Sequence, residues 1–451
     1  MTNAEKWLQF TDGLPSPDNF IRWSYRYMIS AALQRRVWSP PDHDRIYPNM
    51  YVALVGPPGT GKGGPIRAVN SIITEHKLKD VKHSAKFEGE NKNLAKAAED
   101  YTYKEASEEM MQGRGKSSIP DEPLVIPVAA DAVTYEALVK SMATCVRSIN
   151  YESVADDGTK KMRIYMHASQ CFILEEMASL FRDHQKTLIN FLIQAYDCSD
   201  TYEYRTKNSG RDRILKMCLN FIAGTTPEFM QESFDDAIIR NGYSSRTFFI
   251  YAAKNRKEIF FRPELTEAQK KYRAEISAHV KALTSLYGPI QFKPETAQFL
   301  QSWLEKFRAG ASARLARAPK MASFEARINI HIMKVAMANH FGESTDMFIP
   351  QSTFEQAIED ILKEMPNMSL ALTVGGDNPL SKVSMKVVEH LKVAGRKTFN
   401  ELLVQFWEHC QNGKQGLEEI LTYLQQTDQI IFETKVDETT GKQTIYYSAK
   451  E

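Results

Sequence analysis

Gly56-Pro57-Pro58-Gly59-Thr60-Gly61-Lys62-Gly63 is built from residue types that suit an anion. Glycines allow successive backbone N–H groups to turn inward, the start of a helix adds partial positive charge, and Lys62 supplies a full one. The spacing is that of a phosphate-binding loop, with Gly56, Pro57, Gly59, Thr60, Gly61, Lys62 and Gly63 as its candidate nucleotide contacts. One position departs from the pattern. A Ser or Thr after the lysine would offer its hydroxyl to Mg²⁺, and here the residue is Gly63. Glu175 and Glu176 end the apolar run Cys171-Phe172-Ile173-Leu174. Two carboxylates at such a strand end can divide the work. Glu175 would serve a metal ion, and Glu176 would polarise an attacking water. Thr225 ends a second apolar run, Leu219 to Gly224, where a hydroxyl can meet that water or a γ-phosphate.

Two arginines have open readings. Arg246 precedes the apolar run Thr247-Phe248-Phe249-Ile250-Tyr251, and is either a phosphate-sensing finger or a structural ion-pair partner. Arg327 opens an apolar helical stretch to Ala338. It is either a nucleotide contact from a closing lid or a structural cation.

Around these residues the chain alternates strand and helix patterns, which indicates an α/β domain with a largely parallel sheet. Tyr51 to Val55 predicts the strand before the loop, and Lys62 to about Glu75 the helix after it. Pro123 to Val128 reads as a short buried strand, and Thr134 as the N-cap of the following helix. Two hairpins are expected. One pairs 148–152 with 162–166 around Asp156-Asp157-Gly158 and carries Lys160 and Lys161 near its tip. The other pairs 201–207 with 212–216 around Asn208-Ser209-Gly210, and Lys207, Arg211 and Arg213 make it basic. The second hairpin is either an ordinary solvated element or a loop that grips a nucleic-acid backbone.

The expected domains are an N-terminal helical region at 1–48, an α/β core at 49–260, a helical lid at 261–370, a linker at 371–380 and a C-terminal domain at 381–451. The core carries a charged helical insertion at about 76–118, and the Pro366 to Pro379 stretch reads as a break. Capping boxes at Thr266-Glu267-Ala268-Gln269 and Thr398-Phe399-Asn400-Glu401 mark two helix starts. Three helices and a β-ribbon after 381 read as a winged helix. Its third helix carries Glu418 and Glu419 and only Lys414 as a base, which points to a protein contact or a regulatory flap at least as much as to a basic groove reader.

Composition bounds the alternatives. The 451 residues are 43% hydrophobic and 25% charged, enough for a core of ordinary size in two or three domains. A net charge of +1 means that any nucleic-acid contact must come from local patches. The five cysteines show no C-x-x-C spacing, so neither a zinc site nor a disulfide framework is indicated, and reduced thiols in a cytoplasm are expected. No apolar run approaches the roughly 18–20 residues that span a bilayer, and no signal-peptide core is expected at the N-terminus.

In this order the motifs resemble the AAA+ replicative-helicase-like proteins of phages and mobile elements, a group related to the minichromosome maintenance helicases. The resemblance covers roughly residues 15–345. It rests on Phe20-Ile21-Arg22-Trp23, the loop at Gly56 to Lys62, Glu175-Glu176, the hairpin near Lys207, Thr225-Thr226-Pro227 and Ser245-Arg246. It implies an AAA+ P-loop NTPase core binding ATP and Mg²⁺, in a homo-oligomeric ring, usually hexameric, with sites between neighbours. Thr225 matches sensor 1. Arg246 matches an arginine finger reaching the neighbour's site, although Thr247 stands where an aromatic is expected, and Arg327 matches sensor 2. The hairpins match pore elements that hold single-stranded or forked DNA. The implied activity is ATP-dependent DNA unwinding in replication of a phage or mobile element, in the cytoplasm of a bacterial host, with partner proteins meeting the winged helix. The alternatives are a nucleotide-switched initiator or helicase loader that binds DNA without unwinding it, and an inactive scaffold.

Overall fold

In the computed structural model the described residues are 1–76, 125–154, 160–181, 185–206, 210–233, 242–374, 379–407, 413–426, 429–436 and 443–450, apart from positions 42 and 132. Most of the expected insertion at 76–118, the tip of the first hairpin at 155–159, and Lys207 lie outside them, as does the side chain of Arg211.

Residues 1–373 form one compact unit. It opens with α1 (Asn3–Phe10), whose N-cap Thr2 and Glu5 form a capping box, and α2 (Asp18–Leu33). The α2 helix is apolar nearly all round and is buried nearly all round, as such a helix must be. Its Trp23 ring centroid lies 4.7 Å from that of Phe248, and the Tyr27 hydroxyl donates to the Phe172 carbonyl at 2.6 Å. The lead-in therefore belongs to the main core.

After a two-residue strand β1 (Val37–Trp38) comes β2 (Tyr51–Val55), then α3 (Gly63–Ile73) and α4 (Tyr135–Thr144), which Thr134 caps as expected. The strands β3 (Val146–Val154) and β4 (Lys160–Leu174) pair antiparallel. Next come α5 (Gln185–Tyr196), the antiparallel pair β5 (Thr201–Thr206) and β6 (Gly210–Leu215), and β7 (Met217–Thr225). The unit continues with α6 (Pro227–Ser233), β8 (Thr247–Tyr251), α7 (Glu267–Leu283), the short β9 (Gly288–Pro289), α8 (Pro294–Ala309), α9 (Ile328–Glu343) and α10 (Gln351–Val374).

The central sheet has the order β3-β4-β7-β2-β8. From β4 to β8 the neighbours are parallel, and only β3 runs against its partner. In register, Val55 faces Thr225 on one side and Tyr251 on the other. Both β2 and β7 are buried along their whole length, as expected for parallel strands covered on both faces.

Three sequence expectations change. Of the predicted strand at 123–128, the described residues 125–128 form one parallel bridge, Val128 to Cys171; Pro127 has no N–H to extend a ladder. The first hairpin and the strand before Glu175 are not separate elements. The 15 residues of β4 run unbroken from Lys160 to Leu174, a reach of roughly 46 Å at about 3.3 Å per residue. Finally, the chain does not break at Pro366. The α10 helix continues through it to Val374, because Met365, Met368, Ala371 and Leu372 are buried in the core, and that packing outweighs one lost backbone hydrogen bond.

The second unit, residues 374–451, contains α11 (Pro379–Ala394), β10 (Lys397–Thr398), α12 (Phe399–Phe406), α13 (Lys414–Gln426), β11 (Ile430–Val436) and β12 (Gln443–Ala449). Its three-stranded sheet has the order β10-β12-β11. Val387, Leu391, Leu402, Leu417, Ile420, Leu424 and Ile430 belong to a core of its own.

Candidate functional site

The C-terminal ends of β2, β4 and β7 open onto a cavity of about 510 Å³. It is lined by the loop after β2, by Glu175, Glu176 and Met177 after β4, and by Gly224, Thr225 and Thr226 at the end of β7. Three segments lying 50 to 170 positions apart thus meet on one side of the sheet. In an open α/β sheet, the crevice beyond the strand carboxyl ends is where ligands bind.

The loop turns on two glycines. Gly59 and Gly61 have φ of +86° and +75°, the left-handed region that glycine enters without strain. The Thr60 hydroxyl donates to the Pro57 carbonyl at 2.6 Å and closes the turn. The Lys62 ammonium donates to the Gly56 and Pro57 carbonyls at 2.6 and 2.9 Å. Burial lowers the Lys62 pKa, while Glu228 and Glu176 act against that shift. The lead-in braces the loop from outside, since the Ser16 hydroxyl donates to the Gly61 carbonyl at 2.6 Å. On the far side, Arg256 donates to the carbonyls of Leu14, Thr11 and Asp12 and pairs with Asp18, tying the chain after β8 to that lead-in.

Glu175 and Glu176 are exposed to the cavity side by side. The Thr225 hydroxyl oxygen is buried and has no hydrogen-bond partner among the described residues. A buried hydroxyl left open in this way, at a cavity wall, is suited to a phosphate oxygen or a bound water.

The cavity also holds residues that the sequence reading missed. Arg67 and Arg262 line it, as does Phe229. Arg67 lies one helical turn beyond Gly63, and its guanidinium is paired with the Glu175 carboxylate. No motif marks an arginine at that place; only its i,i+4 relation to Gly63 hinted at a shared face.

In this resting arrangement the residues expected to hold a magnesium ion are not free to do so. Gly63 has no hydroxyl, and Glu175, the expected metal ligand, is held by Arg67. Among the described residues, no group of three or more His, Cys, Asp or Glu is gathered to hold a metal.

Arg246 and Arg327 do not line this cavity. Both reach Asp197, just beyond α5. Arg246 Nη2 lies 2.5 Å from Oδ2, and Arg327 Nη2 lies 2.6 Å from Oδ1. Arg246 also donates to the Gly242 carbonyl at 2.9 Å. Under them, His331 Nε2 lies 2.9 Å from the Ser245 carbonyl, and its ring stacks on Phe324 at 4.1 Å. Burial drives the His331 pKa down to about 3, so the ring is neutral and Nε2–H is the donor.

On the hairpins, Lys160, Lys161 and Arg213 are exposed, and Arg213 lies 3.9 Å from Glu203. Lys216, on the same hairpin, is half-buried, with its ammonium 4.2 Å from the Tyr165 ring centroid. Tyr135 packs the second hairpin onto α4, through its hydroxyl contact with Tyr202 and an edge-on contact with Tyr204 at 5.1 Å.

No helix of the described residues is long and apolar enough to cross a membrane. No protein-family model matches the chain, and a search of curated proteins finds none that matches it.

Proposed function

We propose that this chain is a P-loop ATPase of the AAA+ type that works as a ring-forming DNA translocase and helicase in the replication of a phage or mobile element. The observation that carries the reading is the single cavity shared by Lys62, the Glu175-Glu176 pair and Thr225. Phosphoryl transfer to water needs a cation on the phosphates, a carboxylate to orient the water and a polar group near the γ-phosphate, and these residues supply all three. In this reading Lys62 exchanges its loop carbonyls for phosphate oxygens. The backbone N–H groups of 59–63 cradle the phosphates at the start of α3. Glu176 orients the attacking water, and Thr225 accepts or donates a hydrogen bond at the γ-phosphate. Magnesium arrives as part of the Mg·ATP substrate.

Arg246 and Arg327 lie outside their own subunit's cavity, which suits a role at a neighbour's site. The continuity of β4 joins the strand end before Glu175 to Lys160 and Lys161 in one element, which suits a coupling between chemistry and DNA. The C-terminal unit, three helices with a β-ribbon, is read as a winged helix. Its exposed Glu418 and Glu419 favour a protein partner over a DNA phosphate backbone.

The test is strand displacement on a forked duplex with Mg·ATP, with Lys62→Ala and Glu176→Gln as inactive controls. ATP-dependent displacement by the wild type alone supports the reading. DNA-stimulated ATPase without displacement favours the initiator or loader. Absence of ATPase with DNA present overturns both.

A further inference from the structure

Two glycines open α3, at a cost of about 1 kcal/mol each relative to alanine inside a helix, so the close approaches at these positions are informative. A Cβ at Gly64 would stand 2.9 Å from the Ser16 hydroxyl, where the lead-in crosses the loop. A Cβ at Gly63 would stand 2.7 Å from Glu175 Oε2 and 2.8 Å from Arg67 Nη1. The space that a Ser or Thr side chain would fill is taken by an ion pair.

Helical side chains lean toward the N-terminus, so Arg67 reaches back over the first turn of α3 and covers Gly63. Its guanidinium therefore sits beside the anion-binding loop, inside the same cavity as Lys62. The pair is weakly held. The side chains of Arg67 and Glu175 are 49% and 51% exposed, and an exposed ion pair contributes little. A polyphosphate carries more charge than one carboxylate and offers several oxygens to the planar guanidinium fork.

We propose that Arg67 is a direct phosphate ligand of this site, doing with a guanidinium what a loop hydroxyl and its magnesium ion do elsewhere, and that nucleotide binding is consequently almost independent of divalent cations. Glu175 is the resting partner of Arg67, released when phosphate oxygens replace it. This rests on the nucleotide reading above.

The experiment measures binding of a fluorescent ADP analogue to the full chain, in excess Mg²⁺ and in EDTA. The wild type is expected to bind in EDTA within about threefold of its affinity in Mg²⁺, and Arg67→Ala to lose about tenfold or more in EDTA, the loss of one charge-assisted contact. Arg67→Lys is expected to recover part of that loss. Glu175→Gln frees the guanidinium and is expected to tighten binding in EDTA several-fold, a gain that misfolding cannot imitate. Loss of wild-type binding in EDTA overturns the proposal, and so does an Arg67→Ala protein that binds like wild type in EDTA while Lys62→Ala binds poorly. A Lys62→Ala protein that binds as well as wild type overturns the nucleotide reading itself, and this proposal with it.

Discussion

Arg246 Nη2 lies 2.5 Å from Asp197 Oδ2, with the arginine side chain only 11% exposed. Arg327 takes the other oxygen of the same carboxylate at 2.6 Å. Two guanidinium groups on one carboxylate leave a net positive charge beside Tyr196, at the end of α5. Under the proposed ring reading, a phosphate of a neighbouring subunit would take Arg246 from Asp197. Arg246→Ala is then expected to lower ATPase activity by about a thousandfold or more, the scale of an arginine finger. The decisive measurement mixes Arg246→Ala with Lys62→Ala protein. If Arg246 acts across an interface, the mixture regains activity that neither variant has alone, and no regain means that Arg246 acts within its own subunit.

Glu176→Gln is expected to keep nucleotide affinity and lose hydrolysis by about a hundredfold to ten-thousandfold, the range for removing a group that manages the attacking water. Single-turnover hydrolysis beside equilibrium binding separates the two effects. A parallel loss of affinity would assign Glu176 to the binding of phosphate.

His331 makes stability sensitive to acid. Its folded pKa is about 3, against an ordinary 6.5. Between those values the unfolded chain takes up a proton that the folded chain refuses, so stability is fully present above pH 6.5 and falls as the pH drops toward 3. The limiting slope is about 1.4 kcal/mol per pH unit. Urea midpoints at several pH values should fall more steeply for the wild type than for His331→Gln, which has no ring to protonate. Equal slopes would show that other groups control the acid limb.

Lys160→Ala combined with Lys161→Ala is expected to weaken single-stranded DNA binding and to reduce the salt dependence of that binding by about two charges. Basal ATPase and thermal midpoint should stay near wild type, since both residues are exposed at the start of β4. An unchanged salt slope would remove this hairpin from the DNA path.

Residues 1–373 have their own core, as do residues 374–451. A protein ending at residue 373 is expected to unfold cooperatively and to bind nucleotide with an affinity close to that of the full chain. A large loss of affinity would mean that the C-terminal unit takes part in the site.

Much of this is legible in the sequence. The glycine-rich loop, the strand ends at Glu175 and Thr225, both hairpins and three helix caps announce themselves through local rules of backbone freedom and alternation. Thr134, Thr266 and Thr398 all cap the helices they were expected to cap. Local rules failed where packing overrode them. Pro366 reads as a break and lies within a helix, because the faces on both sides of it are buried. The short run at 123–128 reads as a strand, and its described residues, 125–128, form one bridge. The unity of β4 was hidden, since two functional stretches with different patterns gave no sign of being one element.

The sequence by itself determined that a glycine-rich loop with a lysine, two adjacent carboxylates and a polar strand end exist, because each follows from residue type at short range. Which of them share a cavity was decided by the sheet order, in which β7 lies between β4 and β2 and brings Thr225 level with Val55. The partners of the charged groups were decided there too. Asp197 gathers Arg246 and Arg327 from 49 and 130 positions away, and Arg67 meets Glu175 across 108. Charge pairing depends on distance in space, and only the folded chain sets that distance.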